Sequence, residues 1–326
     1  MGRDTAFGPT ITPPRVIVNP MTLRQPAAAL LCLLLAACAT TAGKPPSPAS
    51  ATAPANDQLY AVAWQQGAIE YEATARSVYA GARRALALVL QWQQQAASAT
   101  DEEARSVAAN QLGNWNAMPM AERAGNDDGQ PLAIILDADE TVLDNSPYQA
   151  RRIDVDGGYE STSWSAWVSE RRAKAVPGAV EFTQWAAGAG IAVFYVTNRS
   201  AADGAATVDN LRALGFPLPE DSERLLLLDD ARGFGSDKIS RRQLVDRDFR
   251  VIGVFGDNLG DFLGGVKTDN PTRKRRVATY RDWWGSRWFM LPNPMYGSWV
   301  DAASKFCDGA EKDDPRACMR RNLRRE

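Results

Sequence analysis

The chain has 326 residues, a formal net charge of −2 and 45% hydrophobic residues. It can bury a full core in one large domain or two small ones, and its charge is too balanced for a nucleic acid polymer as partner. It contains no histidine. This excludes a Ser-His-Asp triad, a phosphohistidine and any zinc site built on imidazole, and leaves carboxylates, hydroxyls, amines, thiols or a hard metal to carry chemistry.

The first element is an export signal. Met1–Pro20 is polar and precedes a complete signal that begins at Met21, so Met21 is read as the start. Arg24 supplies a positive n-region, and Ala27 to Ala37 is an apolar stretch too short to span a bilayer. Leu35-Ala36-Ala37-Cys38 resembles the lipobox of bacterial lipoproteins, in which cleavage precedes the cysteine and the cysteine carries lipid. On that resemblance residues 1–38 are the signal region and Cys38 anchors the protein in the membrane of a bacterial cell envelope. Ala39 and Thr40 offer no retention-type Asp, which by analogy points to the outer membrane, facing the periplasm or the surface. Residues 39–57 are rich in Pro, Ala and Ser and read as a flexible linker. Of the four cysteines, Cys32 leaves with the signal and Cys38 is acylated. Cys307 and Cys318 remain as a pair suited to a disulfide in an oxidising compartment.

From Gln58 onward apolar residues recur at threes and fours, "LYAVAWQQGAIEYEATARSVYAGARRALALVLQWQQQ", which predicts one long helix or two. A loop at Gly129-Gln130-Pro131 follows. Four short apolar runs then alternate with helical stretches: "LAIILD" (132–137), "IAVFYVT" (191–197), "RLLLLDD" (224–230) and "RVIGVFGD" (250–257). Each is continuous rather than alternating, the pattern of a strand buried on both faces. The helices between them are predicted over Pro177–Ala189, Ala201–Leu214 and Ser236–Arg247. This repetition predicts an α/β fold with a doubly wound, mainly parallel sheet over residues 58–326, and ligands at the carboxyl ends of its strands. After Gly264 the chain reads as irregular and aromatic, ending in a basic tail taken as a solvated helix end, with contact with anionic lipid as the lesser reading.

The strand ends carry the chemistry. The first leads into Asp137-Ala138-Asp139-Glu140-Thr141, the second into Thr197-Asn198-Arg199, and the fourth into Asp257-Asn258-Leu259-Gly260-Asp261; Lys238 opens the helix after the third. Carboxylates around an open site suit Mg²⁺ better than a soft metal. A calcium loop at Asp137 fails, because the sixth position is Val142 rather than Gly and the twelfth is Tyr148 rather than Glu. Helix capping by Asp139 or Glu140 accounts for one acid but not for Asp257 and Asp261.

Asp137-x-Asp139-x-Thr141, Thr197, Lys238 and Asp257-x-x-x-Asp261, in that order, resemble the motifs of the haloacid dehalogenase (HAD) superfamily of phosphohydrolases. "LDADETVLDNSPY", "WVSERRAKAVPGAVEF", "FYVTNR", "GDNLGDF" and "LPNPMYGSW" are similar to the class C acid phosphatase and 5′-nucleotidase lipoprotein group. The resemblance implies a HAD-like sheet with a mainly helical cap built from N- and C-terminal segments. It implies an exported phosphatase that cleaves phosphate monoesters through an aspartyl-phosphate. Asp137 would be the nucleophile. Asp139 would be the proton donor and, through its main-chain carbonyl, a Mg²⁺ ligand beside Asp137, Asp257 and Asp261. Thr197 and Lys238 would hold phosphoryl oxygens.

For the substrate's organic part, Tyr148 and Tyr296 are the favoured aromatic candidates, with Trp164 and Trp284 behind them and Trp167 assigned to the core. Asn145 and Arg199 are read as substrate contacts or loop supports. Two other readings remain at this point. One is a non-catalytic ligand-binding surface lipoprotein. The other is a phosphotransferase using the same phosphoenzyme.

Overall fold

The helical run after Gln58 forms two helices, α1 (Leu59–Gly67) and α2 (Ile69–Ser98). They part at Ala68, whose backbone is extended (φ −86°, ψ 129°) although its amide still closes the last turn of α1 on the Trp64 carbonyl (3.0 Å). The computed structural model describes residues 57–125, 129–155, 157–221, 223–307 and 314–325. Cys32, Cys38 and nearly all of the proposed linker lie outside the described residues. A helix with no counterpart in the sequence reading, α3 (Glu102–Gly113), follows α2 and is capped by Asp101, whose carboxylate accepts from the Ala104 amide.

The sheet begins with β1 (Leu132–Leu136). β2 (Leu143–Asp144), α4 (Ser146–Asp154), α5 (Ser161–Ser169), β3 (Lys174–Ala175) and α6 (Ala179–Gly188) come next. Then follow β4 (Ala192–Ser200), α7 (Gly204–Ala213), β5 (Leu225–Leu228), α8 (Ile239–Asp248) and β6 (Arg250–Gly256). The last elements are α9 (Asn270–Ala278), β7 (Trp288–Met290), α10 (Ser298–Ser304) and α11 (Pro315–Arg321).

Five strands form one sheet in the order β5-β4-β1-β6-β7, with every pairing parallel; β2 and β3 make a separate two-residue antiparallel pair. The four predicted strands are present. Each differs from its predicted span by a few residues at one or both ends, and Asp137 and Asp257 are the first residues past β1 and β6 rather than the last within them. The sequence reading missed β7, because three residues of "WFM" inside an aromatic stretch carry no periodicity.

Two cores lie on opposite faces. Leu132, Ile134 and Leu136 of β1 point to the face covered by α2 and α6, while Ala133 and Ile135 point to the face covered by α8. This is the two-residue period of a strand, and burying each aliphatic side chain contributes about 1.5–3 kcal/mol. In β6 the parity slips near Gly253, where the β1–β6 register shifts between Ala133 and Ile134. The winding reverses at β1, with β4 on one side and β6 on the other. That reversal opens the crevice in which such sheets bind ligands.

At the C-terminus Cys307 and Cys318 are bonded, their Cα atoms 5.7 Å apart, which ties α11 to the chain after α10. Among the described residues no helix is long and apolar enough to cross a membrane.

Candidate active site

The site is built at the carboxyl end of β1, β4 and β6. Asp137 follows β1, its amide bonded to the Phe255 carbonyl of β6 (3.0 Å). The chain then turns tightly instead of starting a helix. Val142 and Leu143 both donate to Ala138 O, and Glu140 takes a left-handed φ of 56°. No helix starts here for Asp139 or Glu140 to cap, and the first helix after the loop starts only at Ser146. The N-terminal helix supports the turn from outside, because Tyr79 of α2 donates to the Thr141 carbonyl (2.6 Å).

Asp137, Asp257 and Asp261 bring carboxylate oxygens within 4.8 Å of one another. Lys238 reaches into this group, with Nζ 2.6 Å from Asp137 and 2.7 Å from Asp261. It does so from the N-cap of α8, in a left-handed conformation (φ 61°) that costs a non-glycine residue about 1–3 kcal/mol. Asp261 accepts from the Asn258 amide (2.9 Å), and Asp257 accepts from Asn293 Nδ2 (2.8 Å) and Thr141 Oγ1 (3.4 Å). Asn293, which the sequence reading did not single out, also accepts from the Met295 and Tyr296 amides, so one side chain joins the acid cluster to the Tyr296 loop. Its signal was its place between two prolines in "LPNPMY", where an Asx-type turn is expected.

The carboxylate of Asp139 is not part of that cluster. Its Oδ1 accepts from Arg199 Nε (3.0 Å), Arg199 Nη2 (2.8 Å) and Asn145 Nδ2 (2.9 Å), while its Oδ2 meets Thr197 Oγ1 at 3.3 Å. The Asp139 side chain is thus set apart from the other three acids, held to one side by the buried Arg199 guanidinium.

Arg199 is 2% exposed, and it spends its donors on Asp139, Asn145 and Thr207. Asn145 is fully buried, accepts from the Trp167 indole (2.9 Å), and does not line the cavity above the acids. Asn145 is thus placed to support the Asp139 carboxylate. Trp167 sits in the core as expected.

That cavity, about 340 Å³, is lined by Asp137, Asp139, Lys238, Asp257 and Asp261 at its base and by Tyr159, Trp164 and Tyr296 at its walls. Arg199 also reaches it. Tyr148 does not line it. Tyr148 is buried behind Trp164, edge-on to that ring at 5.1 Å, with its hydroxyl among the Glu160 backbone and Ser163. Trp284 belongs elsewhere, packed on Phe262 and Trp288. Tyr159 was missed because it stands in a polar loop with nothing in sequence to aim it.

Burial pushes the Asp137 carboxyl up to about 7; Lys238 opposes this, and Asp261 and Asp139 add to it. Burial and the neighbouring Asp261 and Asp137 push Asp257 up as well. Glu140, fully buried beside Asp139 and Asp257, is also raised by that burial, and its Oε2 has no hydrogen-bond partner among the described residues. Lys238 is raised, the pull of Asp137 and Asp261 outweighing its burial. One ammonium among three carboxylates, Asp137 and Asp261 buried and Asp257 half-buried, leaves negative charge uncompensated once they ionise. An all-oxygen donor set with surplus negative charge fits a hard divalent cation.

Residues 58–299 match the family described as HAD superfamily, subfamily IIIB (Acid phosphatase). The class C acid phosphatase from Bacillus anthracis has a similar structure, with a TM-score of 0.62 and 30% identity. The match covers 83% of this chain and 98% of that one, and a second structure of that enzyme has tungstate bound. Acid phosphatase 1 of Solanum lycopersicum is 31% identical over 174 residues, 52% of this chain and 60% of its own length. The stem 28 kDa glycoprotein of Glycine max is 26% identical over 168 residues, 50% of this chain and 59% of its own. The chain thus spans about 60% of the length of these two relatives. HAD phosphatases generally use a divalent metal, and the cluster of Asp137, Asp257 and Asp261 answers to that need. With the match running through all four strand-end segments, this chain belongs to the HAD superfamily, subfamily IIIB acid phosphatases.

Proposed function

We propose that the protein is an exported, Mg²⁺-dependent acid phosphatase that hydrolyses phosphate monoesters, nucleoside monophosphates and aryl phosphates among them, through an aspartyl-phosphate. One observation carries the reading. Asp137 stands beside two further carboxylates with Lys238 bridging it to Asp261, and Asp139 lines the same cavity. Asp137, Asp257 and Asp261 would hold the cation with the main-chain carbonyl of Asp139. A bound Mg²⁺ supplies positive charge that lets the phosphoryl group approach and keeps Asp137 ionised.

The remaining steps belong to the chain. An Asp137 oxygen attacks phosphorus, and the leaving oxygen departs with a proton. Asp139 carries that proton on Oδ2, because three donors already occupy Oδ1. It then takes a proton from the water that opens the phosphoenzyme. Lys238 draws off charge from the phosphoryl oxygens; Thr197, expected beside it in that role, has its hydroxyl on Asp139 Oδ2 (3.3 Å) and orients that oxygen. Tyr159, Trp164 and Tyr296 give the organic part an aromatic wall. Tungstate in the Bacillus anthracis structure is a tetrahedral oxyanion of the shape this reading requires. Lipid attachment at Cys38 in a bacterial envelope, with outer-membrane sorting, is part of the same reading and rests on the sequence of residues 21–40.

The test is hydrolysis of p-nitrophenyl phosphate and a panel of nucleotides and sugar phosphates across pH, with EDTA and with Mg²⁺ restored. Asp137→Asn should be inactive while keeping its circular dichroism. Full turnover by Asp137→Asn, or indifference to EDTA, overturns the reading.

A further inference from the structure

The charge of the chain is unevenly placed. Residues 264–326 hold fourteen Lys and Arg against eight Asp and Glu, a net +6, while residues 1–263 carry −8. Beyond the residues matched to the family, residues 300–326 add only +1 of this excess, but their charge is sorted along the chain: residues 315–325 hold five arginines and no acid. Arg320 and Arg321 of α11 and Arg324 and Arg325 after it are all exposed. Leu323 stands among them 62% exposed, and Phe306 is 47% exposed beside the disulfide.

Several contacts hold this basic tail in place, among them a hydrogen bond from Asn322 Nδ2 to the Ala303 carbonyl of α10 (3.2 Å). The Cys307–Cys318 bond ties α11 to the end of α10. Arg316 Nε lies 2.6 Å from Asp57 Oδ2, an ion pair between α11 and the first described residue of the chain. Asp57 is where the body meets the segment leading back to Cys38, nineteen residues away. The cationic face therefore stands beside the point of attachment. If residues 39–57 are the flexible linker that their composition suggests, they would span about 25 Å, whereas attraction to a charged surface fades within about 8 Å at physiological salt. An anchor alone would leave the body hovering, and α11 is the part best placed to close the gap.

We propose that α11 and the arginines after it form a docking face for an anionic phospholipid surface. The guanidinium groups meet lipid phosphates, with Leu323 and Phe306 entering the headgroup layer, the combination of basic and apolar side chains that interfacial segments use. The inference draws its compartment from the export reading, but the binding itself does not depend on catalysis or on lipid at Cys38.

The experiment uses the full chain carrying Cys38→Ser, so that no lipid is attached, and the same chain with Arg320→Glu, Arg321→Glu, Arg324→Glu and Arg325→Glu. Both are sedimented with phosphatidylcholine vesicles, with and without phosphatidylglycerol, at low and high salt. The apolar N-terminal stretch is common to both proteins, so the difference between them reads the basic face. Phosphatidylglycerol should raise binding of the parent chain about tenfold or more, with loss at high salt. The four-glutamate variant should lose that increment while keeping its circular dichroism and its rate on p-nitrophenyl phosphate. If neither protein turns over the ester, the phosphatase reading fails and the vesicle result still stands. Equal binding by the two proteins, or no effect of phosphatidylglycerol, overturns the proposal. Capture by soluble polyglutamate but not by vesicles would assign the face to an acidic polypeptide and overturn it equally.

Discussion

Arg199 grips a single oxygen of Asp139 through two nitrogens, Nε at 3.0 Å and Nη2 at 2.8 Å, and Asn145 adds a third donor at 2.9 Å. The guanidinium is itself held, 5.6 Å from the Trp164 ring centroid and bonded to Thr207. The proton donor of the proposed reaction is thus immobilised by one oxygen and presented by the other.

Proton donation matters most when the leaving group is a poor one. Arg199→Lys keeps the charge but loses the planar fork. We expect kcat to fall about 10- to 100-fold on alkyl phosphates and only a few-fold on p-nitrophenyl phosphate, whose leaving group needs little protonation. Steady-state kinetics on both esters measures the split. Equal losses on the two would show that Arg199 serves folding or binding instead.

Gly256 closes β6 directly behind Asp261. A methyl group there would stand 2.3 Å from Asp261 Oδ2 and 2.4 Å from its Cβ. Gly256→Ala should cost about 1–3 kcal/mol in overpacking. It should also move Asp261 off Lys238, lowering activity and weakening Mg²⁺ binding together. Thermal melts and a Mg²⁺ titration of activity test this; unchanged Mg²⁺ dependence would mean that Asp261 tolerates displacement.

Lys238 is the ammonium between Asp137 and Asp261. Lys238→Met leaves those buried carboxylates facing each other, and breaking a buried pair costs about 3–5 kcal/mol. The loss should be large in EDTA and smaller in Mg²⁺, which would replace part of the missing charge. Scanning calorimetry under both conditions decides; a penalty that is the same with and without Mg²⁺ would separate the lysine from the metal cluster.

The acids also predict how stability varies with pH. Asp137, Asp257 and Glu140 have carboxyls raised in the folded state, by burial first. A carboxyl raised on folding favours the folded state below its unfolded pKa, and that advantage is lost as pH rises through its folded pKa. Metal-free protein should therefore lose stability from about pH 4 upward, through the Asp137 value of about 7. The slope is on the order of 1.4 kcal/mol per pH unit for each group protonated only in the folded state. Mg²⁺ should flatten the curve. Urea melts across pH, in EDTA and in Mg²⁺, provide the check, and a metal-free protein that gains stability toward neutral pH would contradict it.

The sequence by itself determined the β-α repetition, the parallel sheet and the strand ends that carry the acids. Continuous apolar runs bounded by polar turns can satisfy their hydrogen bonds and bury both faces in few other ways. It also placed Lys238 and Thr197 at element boundaries. It could not tell a side chain that lines the cavity from one that supports it. Asn145 and Tyr148 lie in the same short segment as the acids but turn into the core, whereas Tyr159 and Trp164 reach the cavity. Nor could it show what holds the Asp139 side chain away from the other three acids, because the Arg199 that draws it aside comes from a strand sixty residues away. Local pattern records which residues share an element, since that is set by backbone geometry within a few residues. Which way each side chain turns is settled by packing and charge arriving from distant elements, and only the folded chain brings those together.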